Sequence, residues 1–267
     1  MTDAGVPPTA LVLAAGRPDD PIARAAGVDH KALVPVGGVP MLQRVVEALR
    51  ASGTVGRIVV SIDRAAVLAQ CPALAHEAES GRLEALASRA SAAASVEAAF
   101  DALAPPFLVT TADHALLTPA LIKAFWSGVP KGVDAAAGIV EADLVRRAFP
   151  GVRRTFLGFR DGAIKGTNLF ALLTPEARRL ALFWSRLERH RKRPIRLLAE
   201  VGPLAGIAFA LGLLTRQAAV RRLERRVGLA IALVPLAEPG AAIDVDKAED
   251  LALAEAVLAA RGGTGAS

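Results

Sequence analysis

Residues 11–49, LVLAAGRPDDPIARAAGVDHKALVPVGGVPMLQRVVEAL, open on an apolar run ended by a glycine and continue with three spaced cations before residue 32. The run over residues 11–15 predicts a buried β-strand that Gly16 ends. A polar, basic loop follows, and a helical period begins after Pro40. Loops leaving the carboxyl ends of central strands are where open α/β sheets bind ligands, because their backbone N–H groups point outward unpaired. Gly16 has no Cβ, so its backbone can approach a triphosphate closely, while Arg17, Arg24 and Lys31 supply positive charge as loop cations. A second chemical group stands at another strand end. Residues 107–111 (FLVTT) are the most strand-like run in the chain and deliver Asp113 at their tip, before a helix opened by Thr118 and Pro119. A carboxylate facing the same crevice as the glycine loop can hold Mg2+ against an α-phosphate, since magnesium typically combines one or two carboxylates with phosphate oxygens and waters. His114 beside it reads as a loop histidine rather than a ligand.

The elements that must position these groups alternate in type. RIVVSI (57–62) reads as a second buried strand. Residues 65–104 are alanine-rich and helical in period, with breaks at Cys71-Pro72 and Ser80-Gly81. DAAAGIV (134–140) is a further strand. Residues 155–159 and 163–172 flank an Asp161-Gly162 turn signal and predict a hairpin. GLAIALVPL (228–236) is a last strand before a closing helix. This order predicts an α/β fold: an open, mostly parallel, doubly wound sheet with a hairpin, in one domain over residues 1–267.

Composition narrows the partners. The net charge of +6 suits anionic ligands. Aromatic residues are 4% with no tyrosine, which argues against recognition by stacking on bases, and no nucleic-acid partner is expected. Cys71 is the single cysteine, so no intramolecular disulfide can form, and a reducing, cytoplasmic setting is expected. No run of about 18 apolar residues predicts a spanning helix.

The first segment resembles the signature of NTP-transferase nucleotidyltransferases, roughly LAAGxGxRM, then PK, then Gly-x-Pro-x-Leu. Ala14, Ala15, Gly16, Arg24, Lys31, Gly38, Pro40 and Leu42 fall on it. Two positions depart: the second loop glycine is replaced by the stretch from Pro18 to Pro21, and His30 stands where the pattern has proline. TADHALLTP resembles the family's metal-binding element, with Asp113 on its aspartate. IDVDKAEDLALAE resembles the DIDTPEDLxxAE element, with Asp244 on a second metal ligand and Asp246 on the residue that caps the closing helix. SAAASVEAAFDAL resembles the SVxxAL element of cytidylyltransferases such as the methylerythritol-phosphate enzyme, which gives Ser95 a nucleotide contact, although Ser91 or Ser95 as an N-cap explains the pattern equally. Arg153, Arg154 and Arg160 precede the hairpin turn, and Lys165, Gly166, Thr167 and Asn168 follow it. The family's comparable hairpin lines an acceptor-phosphate pocket, and lysine and arginine suit a phosphomonoester there.

The resemblance implies nucleotidyl transfer from an NTP to a phosphorylated acceptor with Mg2+ on Asp113 and Asp244. Ala14, Ala15, Gly16, Arg17 and Ser95 would bind nucleotide, Arg24 and Lys31 would act in catalysis, and Arg153, Arg154, Lys165 and Asn168 would hold the acceptor. CTP is favoured, and GTP, as in molybdenum-cofactor guanylyltransferases, is the alternative. A glycosyltransferase of similar fold would want Asp-x-Asp where this chain has Thr111-Ala112-Asp113. A non-catalytic, membrane-associated nucleotide-binding module is the third reading.

Residues 175–227 lie outside the resemblance. They carry thirteen basic residues, among them Arg189, Arg191, Lys192 and Arg193, around the apolar stretch 203–214. Two expectations follow: a helical cap over the acceptor side, and peripheral contact with an anionic membrane at the inner face.

Overall fold

The computed structural model describes residues 7–152, 154–190, 208–209 and 211–263. The first strand, β1 (Thr9–Leu13), is aliphatic after Thr9, and Ala10, Leu11 and Val12 are fully buried. A strand covered on both faces reads as a continuous apolar run, not an alternating one. After α1 (Pro21–Ala25), the short pair β2 (Pro35–Val36) and β3 (Val39–Pro40) turns the chain into α2 (Met41–Ser52). Met41, Leu42, Val45, Val46 and Leu49 fall on one face of α2, and Gly53 ends it with a left-handed φ of 60° that only glycine adopts freely.

The chain continues through β4 (Arg57–Ile62), α3 (Ala66–Ala69), α4 (Pro72–Glu79), β5 (Leu83–Ala87), α5 (Ala92–Ala102) and β6 (Phe107–Thr111). Then come α6 (Pro119–Ser127), β7 (Ala135–Glu141), α7 (Ala142–Ala148) and the hairpin of β8 (Leu157–Phe159) and β9 (Gly162–Leu172). Helices α8 (Arg178–His190) and α9 (Arg216–Val227), strand β10 (Ile231–Pro235) and α10 (Ala248–Gly263) complete it.

Seven strands run in the order β10-β7-β9-β6-β1-β4-β5, and β8 pairs with β9 beside them. β1 lies parallel to β4 and β6, β4 to β5, and β7 to β10, whereas β9 is antiparallel to β6, β7 and β8. One face packs on α2 and α6 through Val12, Leu42, Val45, Leu108, Ile122 and Phe125. The other packs on α5 and α8 through Leu11, Val59, Ala99, Phe107, Val109 and Leu180. The sheet is therefore doubly wound and mostly parallel, as the order of elements predicts.

Two expectations need correction. Residues 65–104 are not helical throughout, because LEALA forms the edge strand β5 between α4 and α5. In residues 175–227, α8 lies on the sheet face beside α5, not over the crevice. Among the described residues of this segment, 208–209 and 211–216 reach the hairpin. Arg160 N donates to Leu214 O at 3.0 Å, Phe159 packs edge-on against Phe209 at 5.6 Å, and Arg216 pairs with Glu141 and Asp161. Arg191, Lys192 and Arg193, the side chain of Arg189, and half of the apolar stretch (203–207 and 210) lie outside the described residues. Among the described residues no helix is long and apolar enough to cross a membrane.

Candidate active site

Parallel pairing sets Leu13 level with Ser61 and Thr111, so β1, β4 and β6 end together. Three loops leave this edge side by side. The first carries Gly16, the second Asp63 and the third Asp113. Gly16 N donates to Asp63 Oδ1 at 2.8 Å, and His30 Nε2 lies 3.0 Å from the same oxygen. Ala32 N donates to His30 Nδ1 at 3.1 Å, which leaves the ring proton on Nε2 to donate to Asp63. Partial burial works against the Asp63 charge, yet the Gly16 N–H and His30 hold its carboxyl below the ordinary value.

His30 thus replaces the family's proline with a buried brace that ties the glycine loop to β4. A Cβ at position 16 would lie 2.5 Å from His30 Nε2, so the brace is the reason position 16 must be glycine. Gly16→Ala should destabilise the protein by about 2 kcal/mol through overpacking and raise the nucleotide KM. Gly16→Ala/His30→Ala should recover part of that stability, as measured by thermal melts in a double-mutant cycle. Strict additivity of the two single changes would mean that His30 does not constrain position 16.

The acidic side of the crevice is closed by the far end of the chain. Val245 N donates to Asp113 O at 3.0 Å, bringing Asp244 and Asp246 beside Asp113. Lys31 Nζ lies 2.9 Å from Asp113 Oδ2 and 2.7 Å from Asp246 Oδ1, and Thr111 Oγ1 donates to Asp113 Oδ1 at 2.5 Å. Lys31 is only 14% exposed, so it is not an exposed loop charge. Burial disfavours its ammonium, but Asp113 and Asp246 outweigh that and raise its pKa. Against its own burial, Asp246 is lowered by Lys31, with help from Arg17 and Arg154. Asp244 goes the other way: burial first, then the Asp246 and Asp113 carboxylates, raise it despite Lys165. A half-buried carboxylate held high by neighbouring acids is a place where a cation relieves repulsion. Asp244 and Asp113 together with phosphate oxygens and water would fit magnesium, although no group of three or more His, Cys, Asp or Glu residues suits a metal among the described residues.

Several expected roles change. Asp246 does not cap the closing helix. Asp250 does, accepting from Asp246 N at 3.1 Å and Lys247 N at 3.2 Å, and this frees Asp246 for Lys31. Arg154 is 8% exposed; its Nη2 lies 2.8 Å from buried Asp250 Oδ1 in charge contact, and its Nη1 is 3.8 Å from Asp244. It is committed to the closing segment, not open to an acceptor. Lys165 Nζ lies 3.8 Å from Asp244, on the crevice. Asn168 is half-buried in the part of β9 where the pairing with β7 shifts register, between Gly166 and Phe170. Arg153 lies outside the described residues.

Ser91 is the N-cap of α5, its hydroxyl accepting from Ala94 N at 3.2 Å. Ser95 is buried and accepts from Arg89 N at 2.8 Å, so it shapes the loop at the β5 tip. Ala14 is buried and Ala15 exposed on the first loop. Arg17 is exposed there, near Asp246, while Arg24 is largely exposed and pairs with Asp19 at 3.4 Å.

His114 is a loop histidine, between β6 and α6. It is fully buried, and burial, reinforced by Lys165 and opposed by Asp113, lowers its pKa from 6.5 to about 4. As pH falls through 6.5 the unfolded chain binds a proton that the folded chain refuses. Stability should therefore be full above that pH and decline as pH falls toward about 4. Melting curves across the window test this, and His114→Gln should flatten them.

Sequence reasoning overlooked Asp63 and the brace. The signal was available, because Asp63 follows RIVVSI just as Asp113 follows FLVTT.

Phosphate-sized backbone on one side of a strand-tip crevice and acid on the other defines a nucleotide-handling α/β transferase. The chain belongs to the MobA-like NTP transferase domain family, whose model matches residues 10–160, and it is a nucleotidyltransferase. Among solved structures it is similar to a hypothetical transferase from Thermus thermophilus, with 30% identity, a TM-score of 0.76, and coverage of 91% of this chain and 99% of that one. CMP:2-keto-3-deoxy-manno-octonic acid synthetase, solved with CTP, shares the fold at 14% identity and a TM-score of 0.58, over 95% of this chain and 98% of its own. So does 4-diphosphocytidyl-2C-methyl-D-erythritol synthase from Anaerococcus prevotii, at 12% identity and 0.56, over 94% and 97%. No curated protein matches the chain.

Proposed function

We propose that the protein transfers a nucleoside monophosphate from an NTP, CTP in preference to GTP, to a phosphorylated small-molecule acceptor and releases pyrophosphate. One observation carries this reading: Lys31 is held between Asp113 and Asp246 beside the braced glycine loop, so cation and acid meet where a polyphosphate would enter. An acceptor phosphate oxygen attacks the α-phosphorus in line. The new O–P bond forms as the bond to the β-phosphate's bridging oxygen breaks, and pyrophosphate carries away the electron pair. A phosphomonoester is already nucleophilic near neutral pH, so no general base is required.

Lys31 exchanges carboxylate partners for phosphate oxygens as the triphosphate enters. Arg17 on the same loop and Arg24 on α1 add positive charge, and the N–H groups of Ala15 and Gly16 approach the phosphates. Asp113 and Asp244 would hold Mg2+, which supplies charge neutralisation at the α-phosphate when bound. Ser95 acts through the β5-tip loop it shapes, and Lys165 meets the acceptor phosphate. Phe209, Leu214 and Arg216, which contact the hairpin and Glu141, border the acceptor side as part of a cap. The preference for CTP is supported by the serine-valine element of α5 and by the two cytidylyl enzymes that share the fold.

Pyrophosphate release with each NTP, across a panel of sugar and alcohol phosphates with mass analysis of products, tests the reading. A CTP- and acceptor-dependent CDP product supports it. Consumption of a sugar nucleotide without pyrophosphate would replace it with glycosyl transfer.

A further inference from the structure

Asp63 offers more than the brace requires. Its Oδ1 accepts from Gly16 N at 2.8 Å and from His30 Nε2 at 3.0 Å, so a single oxygen carries the whole brace. Two donors fill the lone pairs of that oxygen. An asparagine carbonyl would serve the loop equally, which leaves both the negative charge and Oδ2 without a part in holding it. The side chain stands open at the tip of β4, 36% exposed, with Arg64 Nε 3.9 Å from Oδ2 and beyond hydrogen-bond reach. Arg64 is engaged by Asp29 instead, whose carboxylate accepts from Nη1 at 3.0 Å and whose backbone carbonyl accepts from Nη2 at 2.7 Å.

The neighbours of β4 decide what this second oxygen can meet. β4 lies between β1 and β5, and Ser88 N donates to Ile62 O at 3.0 Å, so its tip is flanked by the glycine loop on one side and by residues 88–91 on the other. Across β1, toward β6 and β9, stand Lys31, Asp113, Asp244 and Lys165, the groups assigned above to the triphosphate, magnesium and the acceptor. The nucleoside is left the β4 side. A carboxylate there repels phosphate oxygens and can only accept hydrogen bonds, so its ligand must bring a donor. The ribose hydroxyls, a few bonds from the α-phosphate, are the first donors that a nucleotide carries past the glycine loop. The amino group of a base lies farther out.

We infer that Asp63 is the ribose-reading residue of this crevice: Oδ2 accepts from a ribose hydroxyl of the bound NTP and selects ribonucleotides over their deoxy counterparts. The placement of the phosphates is that of the proposed nucleotidyl transfer, on which this role of Asp63 rests. A polar group placed to pair with a hydroxyl rejects the ligand that lacks it, because the charged oxygen is then desolvated without a partner. His30 and Gly16 sharpen the selection by pinning Oδ1, so that the carboxylate cannot turn its other oxygen aside.

Calorimetry in the presence of Mg2+, with CTP, GTP and the 2′-deoxy and 3′-deoxy forms of each, tests the inference without any acceptor. Wild type should bind a ribonucleotide about tenfold more tightly than at least one of its deoxy forms. Asp63→Asn keeps a carbonyl oxygen for Gly16 and His30 and puts an amide nitrogen in place of Oδ2, which pairs with a hydroxyl only as a neutral donor. This variant should melt like wild type while the ribose preference falls to about threefold or less. Wild-type affinities that do not distinguish ribonucleotides from deoxynucleotides overturn the inference, as does a preference that Asp63→Asn leaves at the wild-type value. A CTP:UTP ratio that changes in Asp63→Asn while the ribose preference stays would assign the carboxylate to the base amino group instead. Pyrophosphate release is read separately. Ribose-selective binding with no transfer to any phosphorylated acceptor would overturn the proposed reaction and leave Asp63 in its role, whereas transfer from ribo- and deoxynucleotides at equal kcat/KM would do the reverse.

Discussion

Asp113→Asn should lower kcat by about three orders of magnitude while the protein keeps its fold. The substitution preserves shape, and the amide oxygen it introduces can still accept from Thr111, but it removes a formal charge from the proposed magnesium site. One such electrostatic contact is worth about 4 kcal/mol in the transition state. The ion pair with Lys31, partly shielded from water, should cost much less in stability when lost, and Asp246 remains to hold the ammonium. Steady-state kinetics beside a thermal melt separates the two quantities. Turnover within tenfold of wild type would remove Asp113 from the chemistry.

Arg154→Met should cost about 3 to 5 kcal/mol of stability, as expected when one member of a buried pair is removed. The Asp250 carboxylate would remain buried with two backbone donors but no counterion. Asp244 would lose a positive neighbour at 3.8 Å as well. Arg154→Met/Asp250→Asn should regain part of the loss, because asparagine still caps α10 without a charge. Chemical denaturation of the three variants measures this. A melt like wild type combined with a raised acceptor KM would return Arg154 to the acceptor pocket.

What could be read from the chain and what could not divides by distance. The strands β1, β4 and β6 announce themselves as aliphatic runs between turn residues, and Gly16, Lys31 and Asp113 follow from them because each is fixed by its own neighbours. β5 was hidden because LEALA has the composition of the helices around it, and only pairing with β4 makes it a strand. Asp246 and Asp250 sit four residues apart beside one helix start. Local logic assigns the cap to the first, whereas Lys31, 215 positions away, claims it and leaves the cap to the second. Arg154 was misjudged for the same reason, since its partners come from the final segment. Lys165 and Asn168 were grouped by proximity in sequence, which carries no sign of the register shift of β9 between them that pairing with β7 imposes.

That dependence on the final segment has a kinetic side. The central strand β1 and its neighbours β4 and β6 are all complete by Thr111, so most of the parallel sheet can assemble early during synthesis. The contacts of Lys31 with Asp246, of Asp113 with Val245 and of Arg154 with Asp250 are among the longest loops the chain must close. Contacts of high sequence separation form slowly, because closure entropy is lost before they contribute. A nascent chain would therefore carry a nearly finished sheet whose catalytic edge stays open until residues 244–250 emerge and lock onto it.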